Sequence, residues 1–208
     1  MSTPVLQYLP SSVRDAARLA ADLGLAAHAI EVHRFPDGEL RTTVGPAAAM
    51  PAIADFLTAN EFDAGTIIAG PDAESEPWVR DLANRLGAGF AIARKIRHGD
   101  RSVDMAFSDP GIFVGRPVIL VDDIVSSGGT VLACAKALLA AGAKSVDAIV
   151  THALFPPEMI AAFEAAGLRS VLSTHSVPHP TNAIELDTLL ADALRREFTE
   201  AGTQGPAS

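Results

Sequence analysis

The chain has 208 residues, a net charge of −9 and a pI near 5.0, an acidic excess that argues against wholesale binding to nucleic acid or anionic membrane surfaces. With 49% hydrophobic but only 5% aromatic residues, a core must come chiefly from Ala, Leu, Val and Ile, which suits α/β packing in one domain, or one and a half at most. No apolar run is long enough to cross a bilayer and no amino-terminal signal pattern appears, while the lone Cys134 cannot form an internal disulfide. A soluble, cytoplasmic protein is the expectation.

In chain order, Val5 to Tyr8 predicts a strand, Ser12 to Leu23 a helix capped by Ser11 or Ser12, and Ala29 to Phe35 a strand that leads into a Pro36-Asp37-Gly38 turn. Leu40 to Val44 continues as a strand, and Gly45 to Pro51 reads as a small-residue connector. A helix over Ala52 to Ala59, a strand over Thr66 to Ala69, a helix over Pro77 to Leu86 and a strand over Phe90 to Ala93 follow. His98 to Asp109 reads as a loop. Then come the strand at Val118, a helix over Val131 to Ala141, a strand over Ala148 to Leu154, a helix over Pro157 to Ala166 and a strand over Ser170 to Ser173. Leu186 to Phe198 predicts a last helix, and Thr199 to Ser208 a solvated tail. This alternation is the signature of βαβ units, so the expected fold class is α/β, a parallel sheet flanked by helices.

The densest chemistry lies in Val118 to Thr130, VILVDDIVSSGGT. Val118 to Val121 is a continuous apolar run, as in a strand buried on both faces, and ligands gather at the carboxyl ends of such strands. Ser126, Ser127, Gly128, Gly129 and Thr130 form a small, hydroxyl-rich turn that opens a helix, so backbone amides and the positive end of the helix dipole converge on an anion. A phosphate is the natural guest. Asp122 and Asp123 would repel that phosphate, but can accept hydrogen bonds from sugar hydroxyls or hold Mg²⁺. A phosphosugar satisfies both halves. The segment is neither a Walker A loop nor a GxGxxG fingerprint. The competing reading is an ordinary strand-to-helix turn, which the acidic pair disfavours.

Two further strands end in charge. Ile67 to Asp72, IIAGPD, puts Asp72 at the same end as Asp122, either facing a ligand or capping the helix beginning near Glu74. Ala91 to Arg97, AIARKIR, places Lys95 and Arg97 after a buried strand, where cations can meet transferring phosphates. His152, His175 and His179 have no metal-ligand spacing and read as surface or packing residues. GxSxG and HExxH are both absent, which leaves hydrolase and zinc readings weak.

VDDIVSSGGT resembles the 5-phosphoribosyl-1-pyrophosphate (PRPP) motif of type I phosphoribosyltransferases and PRPP synthetases, except that Ser126 stands where many members carry an acid. His33 to Leu40, HRFPDGEL, resembles a segment of the synthetases specifically. The resemblance implies a type I phosphoribosyltransferase-like fold with a truncated N-terminal half-domain: residues 1–50 as a remnant of the synthetase's first domain, 51–198 as the phosphoribosyltransferase-like domain, and 199–208 as a flexible tail. It implies that Asp122 and Asp123 contact ribose, that Ser126 to Thr130 cradle the 5-phosphate, and that Phe35, Asp37 and Glu39 touch ATP. It further implies that Asp72 serves Mg²⁺ or pyrophosphate, and that Lys95 and Arg97 open a mobile catalytic loop over His98 to Asp109. The synthetases carry a long stretch after the strand ending at Val44, with a catalytic His, which has no counterpart here, so the join at Gly45 to Pro51 reads as an internal deletion.

The activity so implied is transfer of diphosphate from Mg-ATP to ribose 5-phosphate, giving PRPP and AMP, in a homo-oligomer. The alternatives are a PRPP-using phosphoribosyltransferase, against which no segment reads as a nucleobase hood, and a non-catalytic, regulatory phosphosugar-binding relative.

Overall fold

The computed structural model describes residues 5–8, 26–29, 46–98, 102–186 and 189. The chain divides into two compact units, Met1–Val44 and Gly45–Ser208. In the first, β1 (Val5–Tyr8) pairs in parallel with β2 (Ala26–Ala29). The expected helix over residues 12–23, the strand over 40–44, the tail and nearly all of the last helix lie outside the described residues, as do Phe35, Asp37 and Glu39.

In the second unit the elements run α1 (Pro46–Ala59), β3 (Ile67–Gly70), α2 (Glu76–Leu86), β4 (Gly89–His98), β5 (Ser102–Phe107), β6 (Pro117–Val125), α3 (Gly129–Ala140), β7 (Ser145–Ala153), α4 (Met159–Ala165), β8 (Leu168–Thr174) and β9 (Asn182–Ile184). They build a sheet of order β5-β4-β3-β6-β7-β8-β9, parallel throughout except for the antiparallel β4–β5 pair.

Strand alternation divides the core between the two sheet faces. Val118, Leu120, Val146, Ala148 and Val150 pack with Val131, Cys134, Ala135 and Leu138 of α3 and Phe163 of α4. Ile68, Ile119, Val121 and Ile149 pack with Ala49, Met50 and Ile53 of α1 and Val79, Leu82 and Ala83 of α2. Helices therefore cover both faces, which is why the central strands are apolar without alternation.

Two expectations need correcting. Gly45 to Pro51 is not a connector: α1 begins at Pro46, since a proline suits the first helical turn, the alanines that follow are strong helix formers, and Ala49 and Met50 are fully buried. The region after Ala93 is not an irregular loop either. β4 runs on to His98 and folds back as β5, in register from Ala93 opposite Phe107 to His98 opposite Ser102, with residues 99–101 outside the described set. The short β9 was not expected from the sequence: Asn-Ala-Ile is too short a run to show a strand period, and it is held in place by the Asn182 amide, which donates to the Thr174 carbonyl, and by burial of Ile184.

Candidate functional site

β6 is hydrogen-bonded in parallel on both sides, to β3 and to β7, and Val118 to Val121 are buried along it. Asp122 and Asp123 follow where burial becomes partial, at the carboxyl end of the sheet. Both carboxylates are held locally: the Asp123 N–H donates to Asp122 Oδ1 at 2.9 Å, and the Ile124 N–H donates to Asp123 Oδ1 at 2.8 Å.

The turn from Ser126 to Gly128 then starts α3. Gly128 sits at φ +74°, and a Cβ there would lie 2.7 Å from Cζ of Phe163, so left-handed backbone and lack of space each require glycine. Phe163 is fixed in turn by an edge-to-face contact with Phe155, ring centroids 5.2 Å apart. The Gly128 carbonyl accepts the Leu132 N–H at 3.0 Å, and no side chain caps the start of α3. The first-turn amides therefore face the Ser126–Thr130 turn, with Ser127 and Gly129 exposed.

Asp72 follows β3, at the same end of the sheet. Its Oδ1 accepts the N–H groups of Glu74 (3.1 Å) and Ser75 (3.2 Å), while the Ser75 hydroxyl donates to the Asp72 carbonyl at 2.6 Å. The capping alternative thus describes what this side chain does in the structure. A Cβ on Gly70 would lie 2.2 Å from the Ser75 hydroxyl, so the glycine lets the capped turn close onto the strand end.

Electrostatics ties these carboxylates together. Burial, followed by the negative charges of Asp123 and Asp72, pushes Asp122 up to about 8. At neutral pH Asp122 is thus largely a neutral acid, able to donate as well as accept a hydrogen bond. Such an acid pair suits a cation or a run of hydroxyls. Among the described residues, no group of three His, Cys, Asp or Glu side chains gathers as a metal cage. Mg²⁺ needs no such cage, because it keeps waters and takes one or two carboxylates plus ligand oxygens, and the donor set here fits that mode.

Lys95 and Arg97 lie in the β4–β5 arm, opposite Met105 and Val103 respectively. Their backbone is therefore paired strand rather than loop.

A polar network at the ends of β7, β8 and β9 was not singled out from the sequence. Ile124 of the motif strand is opposite His152, and the Ser176 hydroxyl donates to the Thr151 carbonyl at 2.7 Å. With its proton so used, Ser176 Oγ accepts from His152 Nδ1 at 2.8 Å. The Thr181 N–H donates to His179 Nδ1, so His179 Nε2 carries a proton, which it gives to the Phe155 carbonyl at 3.0 Å. His179 also packs on the Phe155 ring, centroids 4.4 Å apart. The network thus holds Phe155, Phe155 holds Phe163, and Phe163 shapes the turn at Gly128. The sequence signal was there: hydroxyl and imidazole residues replace aliphatic ones where β7 and β8 end, at Thr151-His152 and Ser173-Thr174. His152 and His179 pack in the interior network, while His175 is exposed.

A mostly parallel sheet covered on both faces, with an acidic strand end running into a glycine turn and helix start, defines a type I phosphoribosyltransferase-like fold. The sequence profile of the phosphoribosyl transferase domain matches residues 46–156. The chain belongs to that family, on its PRPP synthetase-like side. Ribose-phosphate pyrophosphokinase of Brucella melitensis is 30% identical over 209 residues, covering 95% of this chain and 65% of the relative. That of Aquifex aeolicus is 29% identical over 154 residues, covering 71% and 49%. The chain thus spans about half to just under two thirds of these relatives' length. Among solved structures, phosphoribosylpyrophosphate synthetase from Mycobacterium smegmatis superposes with TM-score 0.60 at 20% identity, over 88% of this chain and 56% of the other. An adenine phosphoribosyltransferase superposes with TM-score 0.52 at 19% identity, over 68% of this chain and 94% of that one. Among the described residues no helix is long and apolar enough to cross a membrane.

Proposed function

We propose that the chain binds ribose 5-phosphate at the end of β6 and acts as a ribose-phosphate diphosphokinase, moving diphosphate from Mg-ATP to the sugar's C1 hydroxyl to give PRPP and AMP. The observation that carries the reading is the join of partly buried Asp122 and Asp123 to an uncapped α3 start through Gly128. The Ser126–Thr130 turn would hold the 5-phosphate, and the acidic pair the ribose hydroxyls. Lys95 and Arg97 would stabilise charge on the transferring group, Asp72 would hold Mg²⁺ with substrate oxygens, and Phe35, Asp37 and Glu39 would meet the nucleotide. The metal, when bound, would supply charge neutralisation on the phosphates. The curated relatives support synthesis over consumption of PRPP, since each carries the pyrophosphokinase name.

The same proposal takes residues 1–50 as the remnant of a first domain, residues 51–198 as the phosphoribosyltransferase-like domain, 199–208 as a tail, and the protein as a cytoplasmic homo-oligomer. The reduced span relative to those relatives favours a second reading, phosphosugar binding without turnover. Direct measurement of AMP release from Mg-ATP and ribose 5-phosphate separates the two. Release that disappears in Lys95→Ala supports the first. A melting temperature raised by ribose 5-phosphate, with no AMP formed, supports the second.

A further inference from the structure

Among the described residues two buried side-chain polar atoms have no hydrogen-bond partner, Trp78 Nε1 on α2 and Thr151 Oγ1 on β7. Thr151 is fully buried, and an unpaired buried hydroxyl weakens a fold where a methyl of the same shape would not. The hydroxyls around it are spent on one another and on the backbone. Thr174 Oγ1 donates to the Thr151 carbonyl at 2.6 Å and accepts the Ser176 N–H at 3.2 Å. Ser176 Oγ donates to the same carbonyl at 2.7 Å, and the Ser173 and Thr181 hydroxyls bond each other at 2.8 Å. The Thr151 backbone is thus held twice from the β8 side, while its own hydroxyl finds no partner there.

On its other side β7 meets β6. Register sets Val150 opposite Asp122 and His152 opposite Ile124, which puts Thr151 beside Asp123. Residues paired across these two strands pack into the same part of the core: Val118 with Val146, Leu120 with Ala148 and Val125 with Ala153 in one cluster, Val121 with Ile149 in the other. Thr151 and Asp123 therefore share a face, on strands about 4.8 Å apart. At that spacing one side-chain rotation lets a hydroxyl donate to a carboxylate.

Asp123 Oδ1 accepts the Ile124 N–H at 2.8 Å, and the residue is only partly buried, so solvent can serve the rest of its carboxylate when no ligand is bound. A sugar laid over Asp123 removes that solvent, and the carboxylate then needs a donor from the protein. Thr151 holds one in reserve. Resting on the ribose 5-phosphate reading of the β6 end, we propose that Thr151 is a positioning residue of that site. Once the sugar covers Asp123, the Thr151 hydroxyl donates to its carboxylate and fixes the rotamer in which it accepts from the ribose hydroxyls.

The test is calorimetric titration of the full chain with ribose 5-phosphate, run beside ligand-free thermal melts. Thr151→Val keeps the shape and removes the donor, so it should hold or raise the melting temperature and weaken ribose 5-phosphate binding about tenfold. Thr151→Ser keeps the donor and loses a buried methyl, so it should lower the melting temperature and bind within about twofold of the native chain. A merely structural Thr151 would move stability and affinity together. Native affinity in Thr151→Val, or affinity that follows melting temperature across both variants, would overturn the proposal and leave the sugar reading standing. Failure of the native chain to take up ribose 5-phosphate would remove the sugar reading, and this proposal with it.

Discussion

The two regions that carry the proposed chemistry are built in opposite ways. The β6–α3 turn is determined several times over: β6 has strands on both sides, Gly128 has no room for a side chain, and Phe163, Phe155 and His179 stand behind it. The β4–β5 arm that carries Lys95 and Arg97 lies at the sheet edge, where the outer half of β4 pairs, among the described residues, with β5 alone. A site that must hold a fixed anion gains from the first construction, because rigid amides need no reorganisation when charge arrives. A group that must close over reacting phosphates gains from the second.

The largest test of this contrast strikes the rigid side. Phe163→Ala removes a fully buried ring behind the turn and should destabilise by about 3–5 kcal/mol, measured by urea unfolding, with ribose 5-phosphate binding lost in parallel. An effect under about 1 kcal/mol would show that the turn does not depend on its backing. On the arm, Lys95→Ala should lower AMP release by roughly 10²–10³-fold and leave the urea midpoint almost unmoved. A comparable loss of stability would remove the contrast between the two regions.

A pH series comes next. Folded Asp122 holds its proton up to about 8, whereas an unfolded carboxyl releases it near 3.8. Between those values the unfolded chain binds fewer protons, so stability of the ligand-free protein should fall as pH rises, by at most about 1.4 kcal/mol per unit, and level off above the folded value. Asp122→Asn should flatten that slope, which thermal melts from pH 5 to 9 would reveal. The smallest effect belongs to Asp72→Ala, which removes the cap after β3 at a cost of about 1 kcal/mol. It should also shift the Asp122 titration to lower pH, because one of the charges raising it is gone. An unmoved midpoint would mean that Asp72 and Asp122 are not coupled.

Much of the site was legible because it is local in sequence. Val118 to Val121 advertises a strand buried on both faces by its unbroken apolar run, and the acids and glycines that follow announce the turn. Asp72 was legible as to its place but not its task, since a carboxylate at a strand end can face a ligand or cap the next turn. The antiparallel β5 was missed although Val103, Met105 and Phe107 alternate with Ser102, Asp104 and Ala106, the period of a half-exposed strand; the run is short, lies among charged residues, and has as its partner the outer half of β4 rather than a buried strand. The network around His152 and His179 was hidden because its members are brought together from three strand ends.

By itself, the sequence determined the α/β alternation, the buried strand at β6 and the glycine turn that opens a helix after it, because each rests on neighbouring residues and on the period of side chains along a strand. Tertiary structure alone decided that Pro46 to Pro51 joins a helix, that Asp72 adds its charge to Asp122, that Phe163 forces glycine at position 128, and that the outer half of β4 pairs with β5. Those outcomes depend on burial, on charge felt through space and on which strand lies beside which. These are set by contacts between segments far apart in the chain.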